Sequence, residues 1–171
     1  MKLYYGAAIQ GSKDRTERVH IHRMFTQLLK DQGHEVVTEH TNGMNKEEVA
    51  KILEASFGTL PPLGPQRTAF IRDKMIESVE GDIDAAIFEV SIPSLGTGIE
   101  IAHTYLRSRM GLKEIPILAL YQKDYWPNKL SSMILGIKPE TVPCFTLREY
   151  AHLDEAKHQI SEFLKKQTCS E

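Results

Sequence analysis

The 171-residue chain is 41% apolar and 26% charged with a formal net charge of -2, enough sequence for one domain with a packed core. No basic run is long enough to track a phosphate backbone, which argues against a nucleic-acid polymer and leaves a nucleotide monomer as a possible partner. No apolar run would span a bilayer, Lys2 leads straight into an apolar strand pattern without a secretory h-region, and Cys144 and Cys169 read as one buried and one exposed thiol, so a cytoplasmic protein is expected.

Strand and helix patterns alternate along the chain. Leu3 to Ile9 is a short apolar run of strand type. Val19, Ile21, Phe25, Leu28 and Leu29 then recur at roughly helical spacing until Gly33. Glu35 to Thr38 reads as a second strand. Asn45-Lys46-Glu47-Glu48 resembles a capping box, opening a helix whose apolar face carries Val49, Ile52 and Leu53. Gly58 to Pro65 is a loop, because its prolines and glycines break both ladders. A helix from about Gln66 turns Ile71, Met75, Ile76 and Val79 toward a third strand at Ala85 to Val90. Ile115 to Tyr121 gives a fourth strand with Pro116 near its entrance, Val142 to Leu147 a fifth, and Asp154 to Lys166 a final amphipathic helix. This alternation predicts a single α/β domain: a flavodoxin-like, doubly wound, five-stranded parallel sheet with helices on both faces. Ligands in such sheets bind beyond the C-terminal strand ends at the switch in strand order, where the ends of the first and third strands would meet.

The segment Glu89-Val90-Ser91-Ile92-Pro93-Ser94-Leu95-Gly96-Thr97-Gly98-Ile99-Glu100 leaves the third strand and opens a helix. Gly96 and Gly98 allow a tight turn and close backbone approach to a ligand, and amides at a helix start favour negative charge. Glu100 stands where a phosphate loop usually carries a lysine. Read as a first-turn residue, it is expected to be kept ionised by the helix dipole, which suits a nucleophile better than a proton donor.

Together with this motif, Tyr4-Tyr5-Gly6-Ala7-Ala8-Ile9, Phe70-Ile71-Arg72-Asp73 and Leu130-Ser131-Ser132-Met133-Ile134 appear in one order that resembles the nucleoside 2-deoxyribosyltransferase superfamily. The likeness runs from Leu3 to about the C-terminal helix and is closer to the hydrolytic branch, the 2'-deoxynucleoside 5'-phosphate N-hydrolases. It implies that Glu100 attacks the anomeric carbon of a deoxynucleotide, forming a covalent deoxyribosyl enzyme that water hydrolyses, and that Tyr4 hydrogen-bonds this carboxylate. N-glycosidic cleavage passes through an oxocarbenium-like state, so a second carboxyl near the departing base is expected. Arg72-Asp73 fits the acidic element of the family, and the longer spacing from Asp73 to Asp84 leaves Glu77 as the alternative. Ser94 and Ser131, with amides around Gly96 and Gly98, would take the 5'-phosphate, and Ile9 and Gln10 of the first loop would touch substrate. In the relatives the serine-methionine segment comes from a neighbouring subunit, which implies a homodimer with Ser131 and Met133 completing the partner's site. No metal or cofactor is expected.

The first loop departs from the family. Ala7-Ala8-Ile9-Gln10 stands where the nucleotide hydrolases tend to carry Gly-Ser-Ile-Arg, so a hydroxyl and a guanidinium are absent; Ser12, Lys13 and Arg15 either compensate or form a solvated helix turn. That substitution keeps two alternatives open, a base-exchanging deoxyribosyltransferase and a non-catalytic nucleotide-binding domain. His20 and His22, two apart, point in divergent directions on a helix and do not chelate one metal easily. His103 reads as a surface or core-edge histidine, and Tyr125 with Trp126 as either a loop anchor or a cap on the base.

Overall fold

The computed structural model describes residues 1–8, 15–125 and 130–168. Five parallel strands form one sheet in the order β2-β1-β3-β4-β5, with β1 Lys2–Ala7, β2 Glu35–Val36, β3 Ala85–Glu89, β4 Ile117–Gln122 and β5 Phe145–Tyr150. This is the expected flavodoxin-like arrangement. The helices are α1 Arg15–Asp31, α2 Lys46–Phe57, α3 Pro65–Glu80, α4 Leu95–Tyr105, α5 Ser132–Leu135 and α6 Leu153–Thr168.

Successive strand residues point to opposite faces, and the chain fills both. Leu3, Tyr5 and Ile87 pack with Phe25 and Leu29 of α1 and Ile160 and Leu164 of α6. Tyr4, Ala86 and Phe88 pack on the other face with Leu53 of α2, Val79 of α3 and Ile101 of α4. Every residue of β3 is buried, as a central strand covered on both sides requires.

Local signals set most boundaries. Asn45 Oδ1 accepts from the Glu48 amide at 2.8 Å and caps α2, while the Glu48 carboxylate accepts from the Met44 amide at 3.0 Å, one residue before the position a closed capping box would use. Gly58 ends α2 at φ 83°, a backbone angle suited to glycine. Pro65 is the first helical residue of α3, one earlier than the pattern suggests, because a missing amide hydrogen costs nothing there.

The second and fifth strands differ most from the reading above, and β4 begins at Ile117 rather than Ile115. The second is paired only at Glu35 and Val36; His40 to Asn42 close a buried 3-10 turn. The fifth runs Phe145–Tyr150 rather than from Val142, since Val142 belongs to a turn whose amide reaches Lys138 O at 2.9 Å and whose carbonyl accepts from Phe145 at 3.0 Å. Arg148 and Glu149 extend it on an exposed edge, where charge is usual but breaks the apolar pattern.

Candidate active site

The switch in strand order falls between β1 and β3, whose ends Ala7 and Glu89 lie side by side. From Glu89 the chain crosses Val90 to Ser94 and enters α4. Ser94 Oγ caps that helix by accepting from the Thr97 amide at 3.3 Å, and its carbonyl accepts from Gly98 at 3.0 Å. A serine that accepts in this way still has its own O–H to donate to an anion.

Glu100 is six residues past this cap, on the second turn of α4, and not in the first turn as the sequence suggested. The dipole acts mainly in the first turn, so burial governs the carboxyl instead. Its Oε2 is out of solvent, and desolvation raises the acid to about 7, against a smaller opposing effect from the nearby Tyr4 hydroxyl. The expectation of a permanently ionised group is thereby corrected. Tyr4 is fully buried and its own pKa is well above the usual value, first through burial and then through Glu100. The two groups are close without being aligned as a good hydrogen bond: neither Tyr4 Oη nor Glu100 Oε2 has a partner among the described residues.

Glu100 opens into a cavity of about 490 Å³ between α2, α3 and the start of α4. Ser94 and Gly96 share this wall, joined by Ala7, His40 and Arg72. A second cavity, about 460 Å³, lies on the other side of the α4 N-terminus, and Ser94, Gly98, Ser131 and Met133 line it. Ser94 borders both. Within one chain, therefore, Ser131 and Met133 do not share the Glu100 cavity; Ser131 Oγ instead caps α5 by accepting from the Met133 amide at 3.2 Å.

The structure does not bring Asp73 into either cavity. It faces solvent on α3 and pairs with Arg72 at 2.9 Å, the side chain of Asp73 being 58% exposed. Glu77 is no closer to that role, since it too is exposed and pairs with Lys74 at 2.6 Å. A helix shows each face once per turn, and the cavity face of α3 carries Thr68, Ile71, Arg72, Met75 and Ile76. His22 is buried against Tyr5 while His20 is exposed, and the half-buried His103 pairs with Glu80 at 2.6 Å. Ile9, Gln10, Ser12, Lys13, Trp126, Cys169 and the Arg15 side chain lie outside the described residues. Among the described residues no group of three or more His, Cys, Asp or Glu side chains is placed to hold a metal ion, and no helix is long and apolar enough to cross a membrane.

Sequence reasoning missed two site residues. His40 is buried beside the cavity with its Nδ1 3.2 Å from Thr38 Oγ1, and burial lowers it to about 4, so the ring is neutral. Its position just past β2, on the ligand-binding edge, was the available signal. Gly6 faces Glu100: a Cβ there would meet Phe88 at 2.7 Å and Glu100 Oε2 at 3.0 Å. A side chain at this position would occupy the space in which the carboxyl lies.

A buried carboxyl with a tyrosine against it, at the switch point of a flavodoxin-like sheet, is the arrangement implied by the resemblance to the nucleoside 2-deoxyribosyltransferase superfamily, a class of α/β enzymes. No family model matches the sequence. The chain is 31% identical over 165 residues, 96% of its own length and 95% of the relative's, to a Thermofilum pendens protein named "Putative 2'-deoxynucleoside 5'-phosphate N-hydrolase 1". Proteins of the same name from Methanosarcina mazei and Methanococcoides burtonii match at 35% over 48% of this chain and 44% of theirs, and at 24% over 80% and 90%. The chain belongs to the 2'-deoxynucleoside 5'-phosphate N-hydrolase family.

Proposed function

We propose that this chain cleaves the N-glycosidic bond of 2'-deoxynucleoside 5'-monophosphates through a covalent deoxyribosyl ester on Glu100. The observation that carries the reading is the buried Glu100 carboxyl, opening on a nucleoside-sized cavity at the switch point with Tyr4 against it. In its ionised form Glu100 attacks C1' while the bond to the base breaks; the base leaves with the electron pair and takes up a proton. Water then hydrolyses the ester and releases 2-deoxyribose 5-phosphate. Tyr4 favours the attacking carboxylate, offsetting part of the cost of its burial. His40, being neutral, serves the base as a hydrogen-bonding partner and not as a strong acid.

The 5'-phosphate falls to the Ser94 hydroxyl and to the start of α4 at Gly96 and Gly98. Ser131 and Met133 of a second subunit complete that subsite in a homodimer. This assignment is supported by the exposure of Met133 and Leu95, at 79% and 91%, beside the cavity that Ser94 borders. Such apolar exposure is unusual on a surface that stays uncovered. Asp73, on the outer face of α3, is given no step.

The test is a comparison of catalytic efficiencies for each deoxynucleoside 5'-monophosphate and its free deoxynucleoside, with and without an added base. The monophosphate is expected to be the better substrate, with free base and 2-deoxyribose 5-phosphate released in equal amounts. A ratio below one, with turnover accelerated by an acceptor base, would establish a deoxyribosyltransferase instead. No cleavage of any of these compounds would leave a binding domain.

A further inference from the structure

On the sheet face opposite Glu100, at the same strand ends, lies a buried charge cluster that the proposed chemistry does not use. Arg18 of α1 is 1% exposed, as is Glu89 at the end of β3, and Arg18 Nη2 meets Glu89 Oε2 at 2.5 Å. Burial works against the guanidinium charge, but Glu89 more than compensates and holds Arg18 above its usual pKa. The other Glu89 oxygen accepts from Tyr150 Oη at 3.1 Å and from Ser91 Oγ. Ser91 Oγ in turn accepts from the Gln122 amide at 2.7 Å, and Arg18 Nη1 donates to Gln122 Oε1 at 2.8 Å. The outer face of the guanidinium lies 4.8 Å from the centre of the Tyr125 ring.

Apart from Tyr150 of β5, these contacts end on segments that lead to residues lining one of the two cavities. Ser91 opens the turn that leads to Ser94 and the α4 amides. Gln122 and Tyr125 begin the connection from β4 toward Ser131 and Met133. Arg18 itself is on the first turn of α1. A buried arginine paired with one carboxylate is commonly a fold-stabilising feature, but this one also ties α1 to the β3–α4 turn and to the start of the β4–α5 connection, which lead to Ser94 and Ser131.

We infer that Arg18 is a positioning residue: through Glu89, Gln122 and Tyr125 it holds the β3–α4 turn and the start of the β4–α5 connection in the geometry that binds the substrate phosphate. The substrate part of this inference rests on the function proposed above. Removing Arg18 alone would strand the Glu89 charge in the core, so the informative variant is Arg18→Met with Glu89→Gln, in which the amide retains the Ser91 and Tyr150 contacts without a charge. Tyr125→Ala is the milder companion and leaves the ion pair in place.

Two measurements decide the matter. Amide hydrogen exchange of the double variant is expected to rise at Ser91 and Gln122 while β1 and α6 keep their protection. With deoxyguanosine 5'-monophosphate as the probe, KM should rise by about tenfold and kcat should change by less than about threefold, with Tyr125→Ala shifting KM in the same direction by less. Calorimetric binding of the same nucleotide on a Glu100→Gln background reads affinity without chemistry. If that background binds but wild type does not turn over, the proposed activity fails and Arg18 is still judged by affinity and exchange. A folded double variant with wild-type exchange at Ser91 and Gln122, or with local loosening but unchanged nucleotide affinity, overturns the inference. Should the double variant not fold, unchanged KM in Tyr125→Ala overturns it.

Discussion

The Tyr4 hydroxyl lies against the Glu100 carboxyl at the base of the crevice, and neither Tyr4 Oη nor Glu100 Oε2 has another partner among the described residues. Burial raises the acid to about 7, and the hydroxyl works in the opposite direction. Since the proposed attacking species is the carboxylate, kcat/KM for a deoxynucleoside monophosphate should rise with pH through about 7 and level off above it. Tyr4→Phe removes the group that favours the charge, so the limb should move to higher pH and the plateau should fall by about tenfold or more. A limb left in place by Tyr4→Phe would show that the hydroxyl does not act on Glu100.

The same burial makes Glu100 a liability for the fold. Its folded pKa of about 7 exceeds the ordinary 4.5, so the folded chain retains a proton that the unfolded chain has already lost. Its contribution is fully present below about pH 4.5 and is lost as pH rises through about 7. Glu100→Gln should therefore gain stability relative to wild type between pH 5 and pH 8, by up to about 3 kcal/mol, while its turnover falls by about a thousandfold or more. Denaturant titrations of both chains at the two pH values check this. Equal stability differences at both would mean that the carboxyl is well solvated.

Gly6 supplies the space for this arrangement. Gly6→Ala would place a methyl group 2.7 Å from the Phe88 ring and 3.0 Å from Glu100 Oε2. Phe88 is fully buried and has little room to move, so a stability cost of about 1–3 kcal/mol is expected. Activity should fall further than stability explains, because Glu100 must also shift. A Gly6→Ala chain with near-normal kcat would show that the carboxyl has room elsewhere.

The strand-helix alternation and most element boundaries were legible because they follow from local rules: apolar strand runs, proline at a helix start, an asparagine cap. The glycine motif likewise pointed to Glu100, Ser94 and Gly96. What sequence did not convey was depth. A first-turn glutamate and a second-turn buried one differ by a single helical turn, and it is burial, opposed by the Tyr4 hydroxyl, that reverses the expected direction of its pKa. The place of Asp73 was hidden for a related reason, since its neighbour Arg72 takes the cavity-facing position on α3 and leaves Asp73 on the solvent side. His40 follows the second strand on the binding edge, a position the sequence offered, but its burial beside the cavity is set by tertiary packing.

The division of Ser131 and Glu100 between two cavities of one chain gives the final prediction. In the proposed homodimer, each site uses Glu100 of one subunit and Ser131 of the other. Glu100→Ala removes the proposed nucleophile, and Ser131→Asp places a negative charge where the substrate phosphate would lie, so each variant alone should be inactive. A dimer holding one copy of each has one site with both defects and one with neither. Random pairing makes half the dimers mixed, so coexpression should restore about a quarter of the wild-type activity per site. Subunits that exchange slowly will show this only after coexpression or joint refolding, not on simple mixing. Full activity in a chain that sediments as a monomer at assay concentration, or no recovery in a mixed dimer isolated with two affinity tags, would mean that each subunit builds its site alone.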